Sequence, residues 1–158
     1  LEASSAASDV YKRQTLNRPD RLNALTYSMV QKINKNLNSW EINDNINCII
    51  IEGAGDRSFC AGGDVVKLRK EVLADGGPPT NLSKSFFYDE YTLNYKISNY
   101  KKPFISLING FTMGGGVGVS MHGSHVVASE KTMFAMPETA IGLFPDVGGG
   151  WLLSLIHI

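Results

Sequence analysis

The chain has 158 residues, of which 43% are hydrophobic and 19% charged, a balance that supports one ordinary domain with a buried core. Lys plus Arg and Asp plus Glu both total 15, so no global field recruits nucleic acid or an anionic membrane surface. No apolar run is long enough to span a bilayer, and Cys48 and Cys60 lack CxxC or zinc spacing, which predicts reduced thiols and no metal.

Residues 1–14, LEASSAASDVYKRQ, contain no initiator Met and no apolar period, and read as a non-native or disordered lead. Residues 155–158 read as a non-native tail, which takes His157 out of consideration and leaves 15–154 as the folded part. No signal or transit peptide is legible. Residues 17–20, Asn-Arg-Pro-Asp, form a turn. Thr26 is an N-cap for a helix whose Met29, Val30, Ile33, Leu37 and Trp40 make an apolar stripe facing a core. Residues 48–51, Cys-Ile-Ile-Ile, read as a short strand of the parallel kind, buried on both faces.

A glycine-punctuated loop, 53–64, leaves that strand and ends at Asp64, an N-cap for a helix over Val65–Ala74. Loops leaving buried strands are where α/β folds place their sites. After a break at residues 76–79, a helix over 83–99 carries an anomaly: Phe86, Glu90, Leu93 and Ile97 put an acid inside an apolar stripe. Glu90 either pairs with Lys96 or Arg69 at the stripe's edge or is buried for a purpose. Asp89 and tyrosines 88, 91 and 95 fall to the sides and receive no role. Lys101 and Lys102 form a solvated corner, or a contact for a phosphate, ahead of the strand Phe104–Ile108.

Next come Gly114, Gly115, Gly116 and Gly118, between that strand and a short apolar helix. Such a turn lets a ligand approach the backbone and leaves the first helical amides free to meet negative charge, or it simply allows tight packing. Nucleotide motifs fail on spacing: no Lys-Ser or Lys-Thr follows the glycines, and Val119 stands where a GxGxxG run needs its last glycine. Gly53 and Gly55 begin a second imitation that breaks at Ser58. His122 and His125 have no metal partner at useful spacing and read as structural. A short strand spans 132–135. Glu138 after Pro137 and Asp146 after Pro145 then sit on stiff backbone among apolar residues, where a carboxylate finds a partner or has its pKa raised. An acid at a helix start beside an exposed turn acid is the plainer alternative. Alternating helices and strands give an α/β class, and no internal repeat is visible.

Several ordered motifs share one resemblance. Leu16-Asn17-Arg18-Pro19, Asn23-Ala24-Leu25, Ser58-Phe59-Cys60-Ala61-Gly62-Gly63-Asp64, the run 108–118 (INGFTMGGGVG), Met136-Pro137-Glu138-Thr139-Ala140 and Phe144-Pro145-Asp146-Val147-Gly148-Gly149 closely resemble the crotonase (enoyl-CoA hydratase/isomerase) superfamily, and within it the 3-hydroxyisobutyryl-CoA hydrolases. The resemblance covers about residues 15–154 and implies the N-terminal half of a crotonase-like spiral of ββα turns. It implies that the amides of Gly63 and Gly115 form an oxyanion hole, that Ala61, Gly62 and Asp64 line the substrate site, and that Glu90 contacts substrate. Hydratases position one water with two glutamates. One matches Glu138, the other falls at Gly118, and a hydratase glycine falls at Asp146, which favours thioester hydrolysis by Glu138 with Asp146 in valine catabolism. An enoyl-CoA hydratase or isomerase and a non-catalytic acyl-CoA-binding fragment are the alternatives. Further implications are an acyl-CoA substrate with no separate cofactor, a homo-oligomer for a longer parent, and a mitochondrial matrix location for a eukaryotic source, or the cytoplasm otherwise.

Overall fold

A computed structural model describes residues 10–77 and 79–155. In chain order it contains β1 (Tyr11–Leu16), α1 (Tyr27–Glu41), β2 (Cys48–Gly53), β3 (Ser58–Cys60), α2 (Val65–Ala74), α3 (Asn81–Ser98), β4 (Phe104–Ile108), β5 (Phe111–Met113), α4 (Gly115–Ser120), β6 (His125–Ala128), β7 (Met133–Ala135) and α5 (Gly149–Ser154), with 3-10 turns at Pro19–Arg21 and Glu138–Ile141.

From β2 onward, consecutive strands go alternately to two sheets. One has the order β1-β2-β4-β6, the other β3-β5-β7, and every recorded pairing is parallel. Parallel neighbours need a crossover between them. The crossover from β1 to β2 runs through α1 alone, whereas each later one passes through the other sheet and a helix, so β2-β3-α2 and β4-β5-α4 are successive ββα turns of a spiral. Glycine makes the passage from β2 to β3 possible, since a Cβ at Gly53 would lie 2.5 Å from the carbonyl oxygens of Ser58 and Phe59.

The core lies on one face of the larger sheet. Ile49 and Ile51 of β2 and Phe104 and Ile108 of β4 pack with Met29, Val30, Ile33 and Leu37 of α1 and with Phe86, Leu93 and Ile97 of α3. Thr26 caps α1 by accepting from the Met29 amide, and Asp64 caps α2 by accepting from the Lys67 amide. Thr80 and Ser83 form a capping box that starts α3 two residues before the expected point. Strand β2 departs from the expected double burial. Cys48 and Ile50 remain half-buried, because both core helices pack on the face carrying Ile49 and Ile51.

Residues 11–14 are not a lead outside the fold: they are most of β1, in register with Cys48 through Ile51 of β2. The pattern misleads because β1 is an edge strand whose outward residues are polar and whose inward Gln14, 1% exposed, is polar too. Arg13 pairs with Glu52 of β2 across the strands, and the Arg13 guanidinium has a raised pKa chiefly through that hydrogen bond. Leu155 closes α5 through its amide, which donates to the Leu152 and Leu153 carbonyls. The remaining positions assigned to lead and tail, 1–9 and 156–158, His157 among them, lie outside the described residues.

Candidate active site

Two glycine turns, far apart in sequence, meet at the centre of the molecule. The first follows β3. Leu25 bridges it in parallel fashion, its amide donating to the Gly62 carbonyl at 2.8 Å and its carbonyl accepting from the Asp64 amide at 2.7 Å. A parallel bridge engages the residues on either side of the paired one, so the N–H of Gly63 points away from Leu25. No acceptor faces it among the described residues.

The second turn follows β5. Gly114 has φ 49° and ψ −121°, a backbone region open only to glycine, and this reversal starts α4 at Gly115. The first amides of a helix have no intrahelical acceptor, so the Gly115 N–H is also unspent. The turns touch: a Cβ at Gly114 would lie 3.7 Å from the Gly62 Cα, and one at Gly115 would lie 3.3 Å from the Gly63 nitrogen. Two orphan donors from residues 52 positions apart in the chain therefore stand side by side, as an oxyanion hole requires.

Three acids surround this pair. Glu90, 2% exposed, projects from α3 against Gly115, where a Cβ would collide with its Oε1. Its expected partners are not there: Oε1 is unpaired, and the Lys96 ammonium bonds instead to Asn38 of α1. Burial is the main cause that lifts the Glu90 carboxyl to about 8, with the charges of Asp146 and Glu138 adding to it. Glu138 opens the second 3-10 turn and is 7% exposed. Its Oε1 packs over Gly114, 2.6 Å from where a Cβ would be, while Oε2 has no partner. Burial pushes this carboxyl up too; its own backbone amide opposes the shift and Asp146 reinforces it. Asp146 accepts from the Tyr91 hydroxyl at 2.7 Å through Oδ2.

These groups line a cavity of about 220 Å³ whose wall includes Ala61, Gly62, Gly63, Gly114, Gly115, Glu90, Glu138 and Asp146, with Leu68, Phe86, Phe87 and Leu143 supplying apolar surface. Of the residues expected at the site, only Asp64 lies outside it. Its carboxylate caps α2 and pairs with Arg18 at 2.9 Å. Burial works against ionisation there, yet the Lys67 amide and Arg18 outweigh it and hold the carboxyl below its ordinary value. Asp64 thus fixes the loop that presents Gly63.

Three participants were not foreseen. Tyr91, set aside as lateral, orients Asp146, and burial, followed by that hydrogen bond, raises its own hydroxyl pKa. Asn94, one helical turn beyond Glu90, is buried beside Gly118. His122 bonds through Nε2 to the Val147 carbonyl at 2.7 Å and so fixes the loop bearing Asp146, where Val147 has the unfavourable φ of 44°. The four-residue step from Glu90 to Asn94 is the one signal the sequence offered; the other two pairings join segments too distant to be read together. The Lys102 ammonium donates to the Trp40 and Asn43 carbonyls. Among the described residues no cluster of His, Cys, Asp and Glu could hold a metal ion.

The spiral of ββα turns, with paired glycine amides beside carboxylates, defines a crotonase-fold protein. The chain belongs to the enoyl-CoA hydratase/isomerase family, whose model matches residues 11–157. It is 54% identical over 144 residues to the mitochondrial 3-hydroxyisobutyryl-CoA hydrolase of Danio rerio, and 51% identical over 143 residues to that of Homo sapiens, covering 90% of this chain in each case. Among solved structures it resembles a carnitinyl-CoA dehydratase from Mycobacterium thermoresistibile (TM-score 0.88, 43% identity, 96% of this chain and 44% of that one) and an enoyl-CoA hydratase from Rhodobacter sphaeroides (TM-score 0.88, 40% identity, 97% of this chain and 44% of that one). The chain spans 36% of the length of these two curated relatives.

Proposed function

We propose that this chain carries the catalytic centre of a thioester hydrolase acting on a short 3-hydroxyacyl-CoA, with 3-hydroxyisobutyryl-CoA as the best-fitting substrate. The observation that carries the reading is the meeting of the Gly63 and Gly115 amides beside Glu90, Glu138 and Asp146 in one cavity. Two N–H donors aimed at a thioester oxygen favour the negative charge that develops when the carbonyl carbon is attacked, each contributing on the order of 3 kcal/mol.

Glu138 attacks the carbonyl carbon or takes the proton of a water that does. The C–O bond forms, the C–S bond breaks, and the coenzyme A thiolate leaves and is protonated. Where Glu138 is the attacking group, water then cleaves the mixed anhydride, releasing the acid and restoring the carboxylate. A carboxylate whose pKa is raised is a stronger base at neutral pH than an exposed one. Glu90, with a pKa of about 8, is mostly protonated at neutrality and donates a hydrogen bond to the acyl group, as a buried neutral acid can. Asp146, held by Tyr91, receives the 3-hydroxyl or assists proton transfer. A groove of about 380 Å³ lined by Arg18, Arg21, Lys67 and Lys70 adjoins Gly63 and suits the phosphates of coenzyme A. The relatives' names support a mitochondrial location for a eukaryotic source.

Hydration of an enoyl-CoA is the competing chemistry, supported by the solved neighbour from Rhodobacter. It lacks a second glutamate here, since position 118 is glycine. The test uses the chain extended to its relatives' length, assayed for free-thiol release from 3-hydroxyisobutyryl-CoA and from crotonyl-CoA. Thiol release from the first, lowered at least about 100-fold by Glu138→Gln, is expected. Hydration of crotonyl-CoA without thiol release would overturn the reading.

A further inference from the structure

The turn that carries Asp146 is held in an unfavourable shape. Val147 has φ 44° and Gly148 has φ 76°, two left-handed residues in succession, and a β-branched side chain resists that region. Such a backbone persists only where its surroundings fix it. Three contacts do so. His122 donates from Nε2 to the Val147 carbonyl, the Gly149 amide donates to the Asp146 carbonyl at 2.7 Å, and the Val147 side chain is buried against α4.

The third contact depends on a missing side chain. Gly118 has ordinary helical backbone inside α4, so its conformation does not call for glycine. Its surroundings do. A Cβ there would lie 2.9 Å from the Val147 Cβ and 2.8 Å from both polar atoms of the Asn94 amide, so these two residues already fill the space over position 118. They differ in how they can yield. The Asn94 amide ends a side chain and can turn aside, whereas the Val147 Cβ is bonded to the backbone and retreats only with it. Ordinary contact begins near 3.4 Å, so a methyl group at position 118 would push Val147 back by about 0.5 Å. Asp146 is the adjoining residue, and its carboxylate lines the cavity with Glu90 and Glu138.

We propose that Gly118 is a positioning residue for Asp146: its bare Cα seats Val147, and Val147 in that seat sets where the turn presents the Asp146 carboxylate. The effect on rate rests on the thioesterase reading; the effect on geometry does not. The experiment measures single-turnover thiol release from 3-hydroxyisobutyryl-CoA by the extended protein, in a double-mutant cycle of Gly118→Ala with Asp146→Asn. Gly118→Ala is expected to slow release on the order of tenfold when Asp146 is present, and by less than about twofold in the Asp146→Asn background. An unchanged rate, or an equal loss in both backgrounds, overturns the role, because general damage to the fold does not depend on Asp146. Should Gly118→Ala misfold, Val147→Ala, which shrinks the seated group without a collision, enters the same cycle with the same pattern expected. Crystal structures of the wild type and Gly118→Ala decide the matter where the wild type or Asp146→Asn releases too little thiol to compare. A displaced Asp146 carboxylate with a lengthened bond to Tyr91 supports the role; a carboxylate in place, with only Asn94 turned aside, overturns it. A wild type that releases no thiol, together with that displacement, counts against the thioesterase reading alone.

Discussion

Glu90 shows how a single residue records its purpose. A charged side chain inside an apolar stripe is costly unless something offsets the burial, and among the described residues no cation pairs with Glu90. The carboxyl responds by holding its proton, with a pKa raised from 4.5 to about 8. A raised pKa means that the folded state binds the proton more tightly than the unfolded chain. Its contribution to stability is complete below 4.5 and is lost as pH rises through about 8. Glu90→Gln mimics the protonated form at every pH. The variant is therefore expected to match the wild type near pH 4 and to exceed it in urea midpoint by a margin that grows up to about pH 9. Midpoints that keep a constant separation across this range would show that Glu90 is not strained by its burial. The anomaly was legible in the sequence because helical spacing exposes it. The bond from Tyr91 to Asp146 was not, because 55 residues separate the two and nothing local marks Tyr91 off from Tyr88 or Tyr95.

Secondary elements were most legible where a capping side chain marks the start, as for α1 with Thr26 and for α2 with Asp64. They were least legible where tertiary pairing decides. Strand β1 has no apolar alternation of its own and exists because β2 offers it a parallel edge. The spiral was hidden for a related reason. Its ββα turns repeat in geometry, but α3 enters between α2 and β4 and the turns differ in length, so no fixed period appears in the sequence. The glycines of α4 left packing and catalysis open as explanations, and the structure sets two of them against different surroundings. Gly115 faces the acids, while Gly116 faces β3, where a Cβ would run into the Cys60 carbonyl oxygen and lie 2.9 Å from the Cys60 Cβ. Gly116→Ala is expected to cost about 1–3 kcal/mol, since the obstacle is backbone that cannot turn aside. Chemical denaturation checks this; an unchanged midpoint would mean that α4 is held less tightly against β3.

At the scale of the whole molecule, the fold is a device for bringing distant backbone together. β3 and β5 are neighbours in the smaller sheet, so the turns that follow them emerge side by side. That topology delivers Gly63 and Gly115 to one place, and the loops after β7 carry Glu138 and Asp146 over them. The same organisation leaves apolar surface uncovered in the final segment, where Ile141, Phe144 and Trp151 are more than 60% exposed. Infrared difference spectroscopy on 3-hydroxyisobutyryl-CoA labelled with ¹³C at the thioester carbonyl, bound to the extended Glu138→Gln protein, reads the bonds to that oxygen directly. Two amide donors on one oxygen predict a carbonyl stretch shifted to lower frequency than in solution, and a stretch at its solution position would contradict the shared grip of Gly63 and Gly115.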